Sequence, residues 1–175
     1  PLVSQVSPKH IEKMLSEGFK AVFDFIRSKG VFSSFFVCGN ATKQIEVMCK
    51  MGPDSVSVDE NVNLAGAKET TDKYNITIGG NIPLTTTMLH GTQEDNMKGV
   101  IDLIDSVDHH NLIVSPGCDM PYDTPIENTI ACAQAVKHPD STRELIKNYE
   151  VVIDDSDVEI PEPRQGSDRM LPAGS

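Results

Sequence analysis

Four times along this chain a short apolar run is followed by a segment with helical patterning, and that repetition constrains the fold more than any other feature. The runs are VFSSFFVC, SVSV, ITI and LIV, and they predict strands at about residues 33–38, 55–58, 75–79 and 112–115. Helices are expected after them at about 41–50, Asn63 to Lys73, Gln93 to Val107 and Thr124 to Val136. A further helix should precede the first strand. Ser7-Pro8 has the form of a cap followed by proline at the first helical position. Ile11, Met14, Leu15, Phe19, Val22, Phe23 and Ile26 then recur at helical steps until Gly30. Short apolar strands that alternate with helices read as a parallel α/β sheet buried on both faces. Two architectures fit this order: an open doubly wound sheet, and consecutive units of an eight-fold barrel. CGNATK after the first strand is not the glycine-rich dinucleotide fingerprint that would favour the open sheet.

The carboxyl-terminal segment changes character. A helix from about Ser141 to Tyr149, capped by Ser141, closes a single domain over residues 1–149. Residues 150–175 are acidic and rich in Pro and Gly, as in an extended or disordered tail, although VVI could dock as an edge strand. A net charge of −11 and the absence of Trp argue against a nucleic-acid partner. No apolar stretch approaches the roughly 20 residues that span a bilayer, so no membrane partner is expected. The first residues lack the pattern of a signal peptide, and the chain begins with Pro, so an upstream segment is expected to be missing. Cys38, Cys49, Cys118 and Cys132 are widely and irregularly spaced, which suits reduced thiols in a cytoplasmic protein.

Function in parallel α/β folds collects beyond the carboxyl ends of the strands. Those ends read Cys38-Gly39-Asn40, Asp59-Glu60-Asn61, Gly79-Gly80-Asn81 and Gly117-Cys118-Asp119. Gly and Asn are ordinary turn residues and a carboxylate often caps the next helix, so each tip alone has a plain structural reading. Two cysteines at two tips with two carboxylates at a third, however, is the composition of a zinc site. Cys49 and Cys132 lie within helices among apolar neighbours and read as core. His109-His110 falls at the amino end of the fourth strand, on the wrong side. His90 falls on the correct side, where a solvated loop histidine is the plainer reading.

Taken together, VCGN, SVDENVNLAGAKE, IGGNIP and SPGCDMPYDTPIENTIA, from about Ser7 to His138, resemble the carboxyl-terminal half of the uroporphyrinogen decarboxylase superfamily. The resemblance implies an α/β fold of four consecutive βα units, the second half of a (β/α)8 TIM barrel. It implies a missing amino-terminal half-barrel, supplied by the rest of the chain, by another chain or by a homo-oligomer. The decarboxylase branch carries histidine where Cys118 stands. The cobamide-dependent methyltransferases carry cysteine there, the last member of a His-x-Cys…Cys zinc set whose middle ligand matches Cys38. The first ligand falls at position 36, which is Phe36 here. Either Glu60 or Asp59 then fills that place, or zinc binding is weakened or lost.

The resemblance thus implies a methyltransferase that moves a methyl group between a corrinoid carried by a partner protein and a small acceptor, a coenzyme M-like thiol or a tetrahydropterin. Zinc would be held by Cys38, Cys118 and Glu60, while Asn40, Gly80 and Asn81 would shape the cofactor mouth. The alternatives are a decarboxylase of the porphyrinogen type and a non-catalytic component that docks a corrinoid protein.

Overall fold

A computed structural model describes residues 2–149. Its elements are α1 (Leu2–Gln5), α2 (Pro8–Met14), α3 (Ser16–Ser28), β1 (Ser34–Val37), α4 (Ile45–Lys50), β2 (Ser55–Val58) and α5 (Leu64–Lys73). There follow β3 (Thr77–Ile82), a π-helix (Leu84–Leu89), α6 (Gln93–Asp105), β4 (Leu112–Pro116), α7 (Ile126–Lys137) and α8 (Pro139–Leu145). The expected tail at 150–175, and the VVI run within it, lie outside the described residues.

The strands form one parallel sheet in the order β1-β2-β3-β4. This order decides between the two architectures left open by the sequence. Parallel crossovers are right-handed, so strands added always in the same direction put every crossover helix on the same face. A doubly wound sheet needs a reversal of direction, and among the described strands there is none. These are four consecutive barrel-type units, and the sheet is not closed.

Register divides the strand residues into two faces. Phe35, Val56, Ile78 and Leu112 align across all four strands, and Val37 pairs with Val58 in the next layer. These residues pack against the helices in the main core, with Ile11, Phe23, Ile45 and Met48. The other face carries Ser34, Ser55 and Thr77, then Phe36, Ser57, Gly79 and Ile113, then Asn81 beside Ser115. It is polar or small apart from Phe36 and Ile113, which are 41% and 44% exposed. A sheet covered on both faces is the expectation; within the described residues the second face is covered only in part, with Ser55 buried and Phe36 and Ile113 exposed.

Several boundaries differ from the sequence reading. The first long helix is interrupted at Leu15, and of its apolar stripe only Ile11 and Phe23 are fully buried. Ser7 caps it as expected, accepting from the His10 N–H. The segment 41–50 becomes helical only from Ile45, because a turn carries the chain off the tip of β1 first. Asn63 is the cap of α5 and not its first residue, accepting from Gly66 N–H at 2.8 Å. In α7 the helix waits for Ile126, after Pro125. Ser141 is no cap: α8 begins at Pro139, where proline suits the first helical position. The π-helix at Leu84–Leu89 falls where the sequence predicts no element. Asn96 and Asn128 hold it, donating through their side-chain amides to the carbonyls of Thr87, Met88 and Gly91.

β1 and β4 each present an unpaired edge among the described strands, and Phe25, Phe32, Ile126 and Ile130 are exposed. Such edges and apolar faces invite a further chain. The chain alone is therefore expected to self-associate or to unfold without cooperativity. Light scattering combined with thermal melting checks this, and a monomer with a sharp transition would contradict it.

Candidate functional site at the strand tips

Both sulfurs singled out by the sequence are brought together. Cys38 immediately follows β1 and Cys118 lies two residues past β4, and their Sγ atoms are 2.9 Å apart. In a flat sheet the outer strands of four would be about 14 Å apart, three spacings of the hydrogen-bonding direction. The contact thus requires the sheet to curl and the tips to lean inward.

Two close approaches draw the tips together. Gly117 sits against the tip of β2, where an added Cβ would lie 2.7 Å from the Glu60 backbone nitrogen. Its N–H also donates to Ile82 O at 2.9 Å, tying the β4 tip to the end of β3. Gly39, at φ +78, turns the chain directly after Cys38 in the left-handed region where a side chain is disfavoured. Its N–H donates to Asp59 Oδ2 at 2.9 Å, which ties the tip of β1 to that of β2.

Asp59 therefore supports the site from behind. Its Oδ1 accepts from the backbone and the side-chain amide of Asn61, and its residue is only 7% exposed. Burial pushes this carboxyl up, but the hydrogen bonds from Gly39 and Asn61 outweigh it and hold the group below its ordinary value of 3.8. A depressed carboxyl pKa stabilises the fold fully above that ordinary value, and the contribution is lost as pH falls through the lower folded value. Acid titration should loosen the β1–β2 tips first, read as an early fall in the protection of the Gly39 and Asn61 amides relative to their intrinsic exchange; Asp59→Asn should make that protection insensitive to pH in this range.

The remaining expected site residues have the following partners in the structure. Glu60 Oε2 accepts the Leu84 N–H and so caps the entry to the π-helix. Asn40 Oδ1 accepts from Thr42 N–H at 3.2 Å and from its hydroxyl at 2.7 Å, shaping the turn toward α4. Asn81 donates to the carbonyls of Asp59 and Val62 at 3.0 and 2.7 Å. Gly80 and Asn81 belong to β3 itself, which runs three residues beyond its expected end because Gly80, Asn81 and Ile82 pair with Val114, Ser115 and Pro116. Gly80, at φ +134, lies where an added Cβ would be 2.8 Å from Val58 O. Overpacking and an unfavourable backbone together predict that Gly80→Ala lowers stability by at least about 2 kcal/mol. Denaturant unfolding of the full-length protein measures it.

Cys49 and Cys132 are buried, and burial pushes each thiol up to about 11. Cys132 donates to Asn96 Oδ1 at 3.3 Å, within the scaffold of the π-helix. His109 Nε2 meets Ile104 O at 2.8 Å, before β4 and away from the tips. His90 closes the π-helix through its backbone N–H to Thr85 O.

Two thiols converge at the mouth, but no group of three His, Cys, Asp or Glu able to hold a metal occurs among the described residues. Phe36 shares the open sheet face with Cys38, two residues on, and offers no donor atom. Asp59 and Glu60 are engaged in the bonds just described. A catalytic zinc site usually takes three protein ligands; the two thiols are two donors of the right chemistry, and no third stands with them among the described residues. A hydrogen bond with Cys118, then burial, then the charge of Cys118 push the Cys38 thiol up to about 11. Among the described residues no helix is long and apolar enough to cross a membrane.

Comparison with known proteins gives a consistent set of matches. The family model described as uroporphyrinogen decarboxylase (URO-D) matches residues 2–139. The methylcobamide:CoM methyltransferase MtbA of Methanosarcina acetivorans is 27% identical over 122 residues, covering 68% of this chain and 34% of that protein. Its namesake from Methanosarcina mazei is 25% identical over 122 residues, with the same coverage of 68% and 34%. The chain thus spans about a third of the length of these curated relatives. A solved methyltransferase from Methanosarcina mazei superposes with a TM-score of 0.66 at 21% identity, over 84% of this chain and 40% of that one. At that identity the likeness is one of fold.

Proposed function

Since this chain belongs to the uroporphyrinogen decarboxylase family, we propose that it forms the thiol-bearing part of a corrinoid-dependent methyltransferase acting in the cytoplasm. Residues 1–149 are, in this reading, the carboxyl-terminal half of the barrel, and 150–175 a tail. The observation that carries the proposal is the meeting of Cys38 and Cys118 at 2.9 Å over the carboxyl ends of β1 and β4. The similarity to methylcobamide:CoM methyltransferases supports a methyl-corrinoid protein as donor and a coenzyme M-like thiol as acceptor. A tetrahydropterin is the other acceptor class.

In the transfer, the acceptor sulfur forms a bond to the methyl carbon while the cobalt–carbon bond breaks and leaves its electron pair on cobalt. Zinc, when bound at such a mouth, holds the acceptor thiol as a nucleophilic thiolate. The residues of this chain supply the setting. Cys38 and Cys118 present two sulfurs at a fixed separation, and Asp59 and Gly117 hold the tips that carry them.

The test uses the full-length protein with a methylated corrinoid and coenzyme M. Methyl-thioether product appearing with loss of the methyl-cobalt absorbance is the expected result. Carbon dioxide release from a porphyrinogen would instead identify the decarboxylase reading. Phe36 specifically favours a second reading, a component that docks the corrinoid protein without catalysis. Tight binding of that protein with no methyl transfer would establish it.

A further inference from the structure

We propose that Cys38 and Cys118 form a reversible dithiol–disulfide pair that is oxidised by low-molecular-weight disulfides. Their sulfurs already lie 2.9 Å apart, and bond formation at about 2.05 Å closes less than about 1 Å. The approach is built by the backbone, through the Gly117 contact on Glu60 and the Asp59 bond to Gly39, so the two thiols meet at high effective concentration. Both cysteines are free and half-buried, within reach of a small oxidant, whereas Cys49 and Cys132 are free and buried. Among the described residues the pair is not part of a group of three or more His, Cys, Asp or Glu that could hold a metal.

The exchange proceeds in two displacements. The thiolate of one cysteine attacks a sulfur of the oxidant, whose S–S bond breaks; the departing small thiolate takes the proton that the cysteine gave up. The second cysteine, also as its thiolate, then attacks the first cysteine's sulfur in the mixed disulfide. It expels the second small thiol, which takes the second proton. Two cysteine thiols are oxidised to one disulfide, and one small disulfide is reduced to two thiols. The chemistry stands apart from methyl transfer. Its consequence, withdrawal of both sulfurs from the transfer mouth, rests on the transferase reading.

The test treats the reduced full-length protein with mixtures of oxidised and reduced glutathione, traps free thiols by alkylation, and maps the peptides. A Cys38–Cys118 cross-link is expected, with mixed glutathione adducts at either position below about a tenth of it. Cys49 and Cys132 should stay unmodified, and reduced glutathione in excess should reverse the cross-link. Cys118→Ser should stop the reaction at a Cys38–glutathione adduct. Accumulation of mixed adducts in the parent chain without the cross-link would overturn the proposal, as would cross-links only between separate chains. Because methyl transfer is not measured, failure here removes the redox pair and leaves the transferase reading standing.

Discussion

Replacing Cys118 by Ser should lower methyl transfer by the full-length protein at least about a hundredfold. Residues that merely orient a metal or nucleophile centre are worth about 10- to 100-fold, and a sulfur at the centre itself should reach the upper end or exceed it. The substitution keeps the size of the side chain and the Gly117 contact that closes the tip, so the fold should persist. A hydroxyl is a poor replacement for a soft thiolate donor, and it titrates far too high to act as an anion. Cys38→Ser should show the same loss, because the two sulfurs lie in one contact and act as a unit. The double variant should then be no worse than either single one. Cys132→Ala is the control: its thiol is buried against Asn96, so stability should fall slightly while the transfer rate holds. Methyl-thioether formation under saturating donor measures all four proteins. Transfer within a few fold of the parent in Cys118→Ser would remove these sulfurs from the mechanism.

How far the sequence showed this site depends on which physical signal each residue carries. Strand and helix order was legible because apolar runs and helical spacing are local, and the glycine-bearing ends of those runs pointed to one side of the sheet. Cys38 and Cys118 could be selected on that ground alone. Choice between a barrel and a doubly wound sheet was not legible from periodicity, since both use the same alternation; strand order settles it. The resemblance had already favoured the barrel. Glu60 and Asp59 show a different limit. Adjacent carboxylates at a strand tip look alike in sequence, yet one caps the π-helix through Leu84 and the other clamps Gly39 and Asn61. Which hydrogen-bond donors face a carboxylate is fixed by tertiary packing. Similarly, Gly80 and Asn81 read as a loop because Gly-Gly-Asn is turn chemistry, whereas pairing with β4 keeps them in the strand. The π-helix has no periodic signature at six residues, and its supports, Asn96 and Asn128, lie in later helices.

Restoring a histidine at position 36 should convert a two-sulfur mouth into a zinc site. Phe36 lies two residues before Cys38, so both side chains project from the same face of β1. That face is open, with Phe36 41% exposed, and an imidazole is smaller than the ring it replaces. Tetrahedral zinc with Zn–S bonds near 2.3 Å separates two thiolates by roughly 3.8 Å. From 2.9 Å, the sulfurs need part by only about 1 Å, which side-chain rotation allows without moving the tips. Three protein ligands and an open position would then be present. The parent chain, with two, is expected to lose its zinc to a mild chelator during dialysis more readily than Phe36→His, which should keep about one per chain. Adding Cys118→Ser to Phe36→His should remove the gain. Glu60→Gln should leave zinc content unchanged, because its carboxylate is occupied at the Leu84 N–H. Elemental analysis of the full-length variants reads each of these directly. Full occupancy in the parent, lost on Glu60→Gln, would show that the carboxylate leaves the π-helix to complete the site. Zinc no higher in Phe36→His than in the parent would mean that the curl of the sheet does not bring position 36 within reach of the two sulfurs.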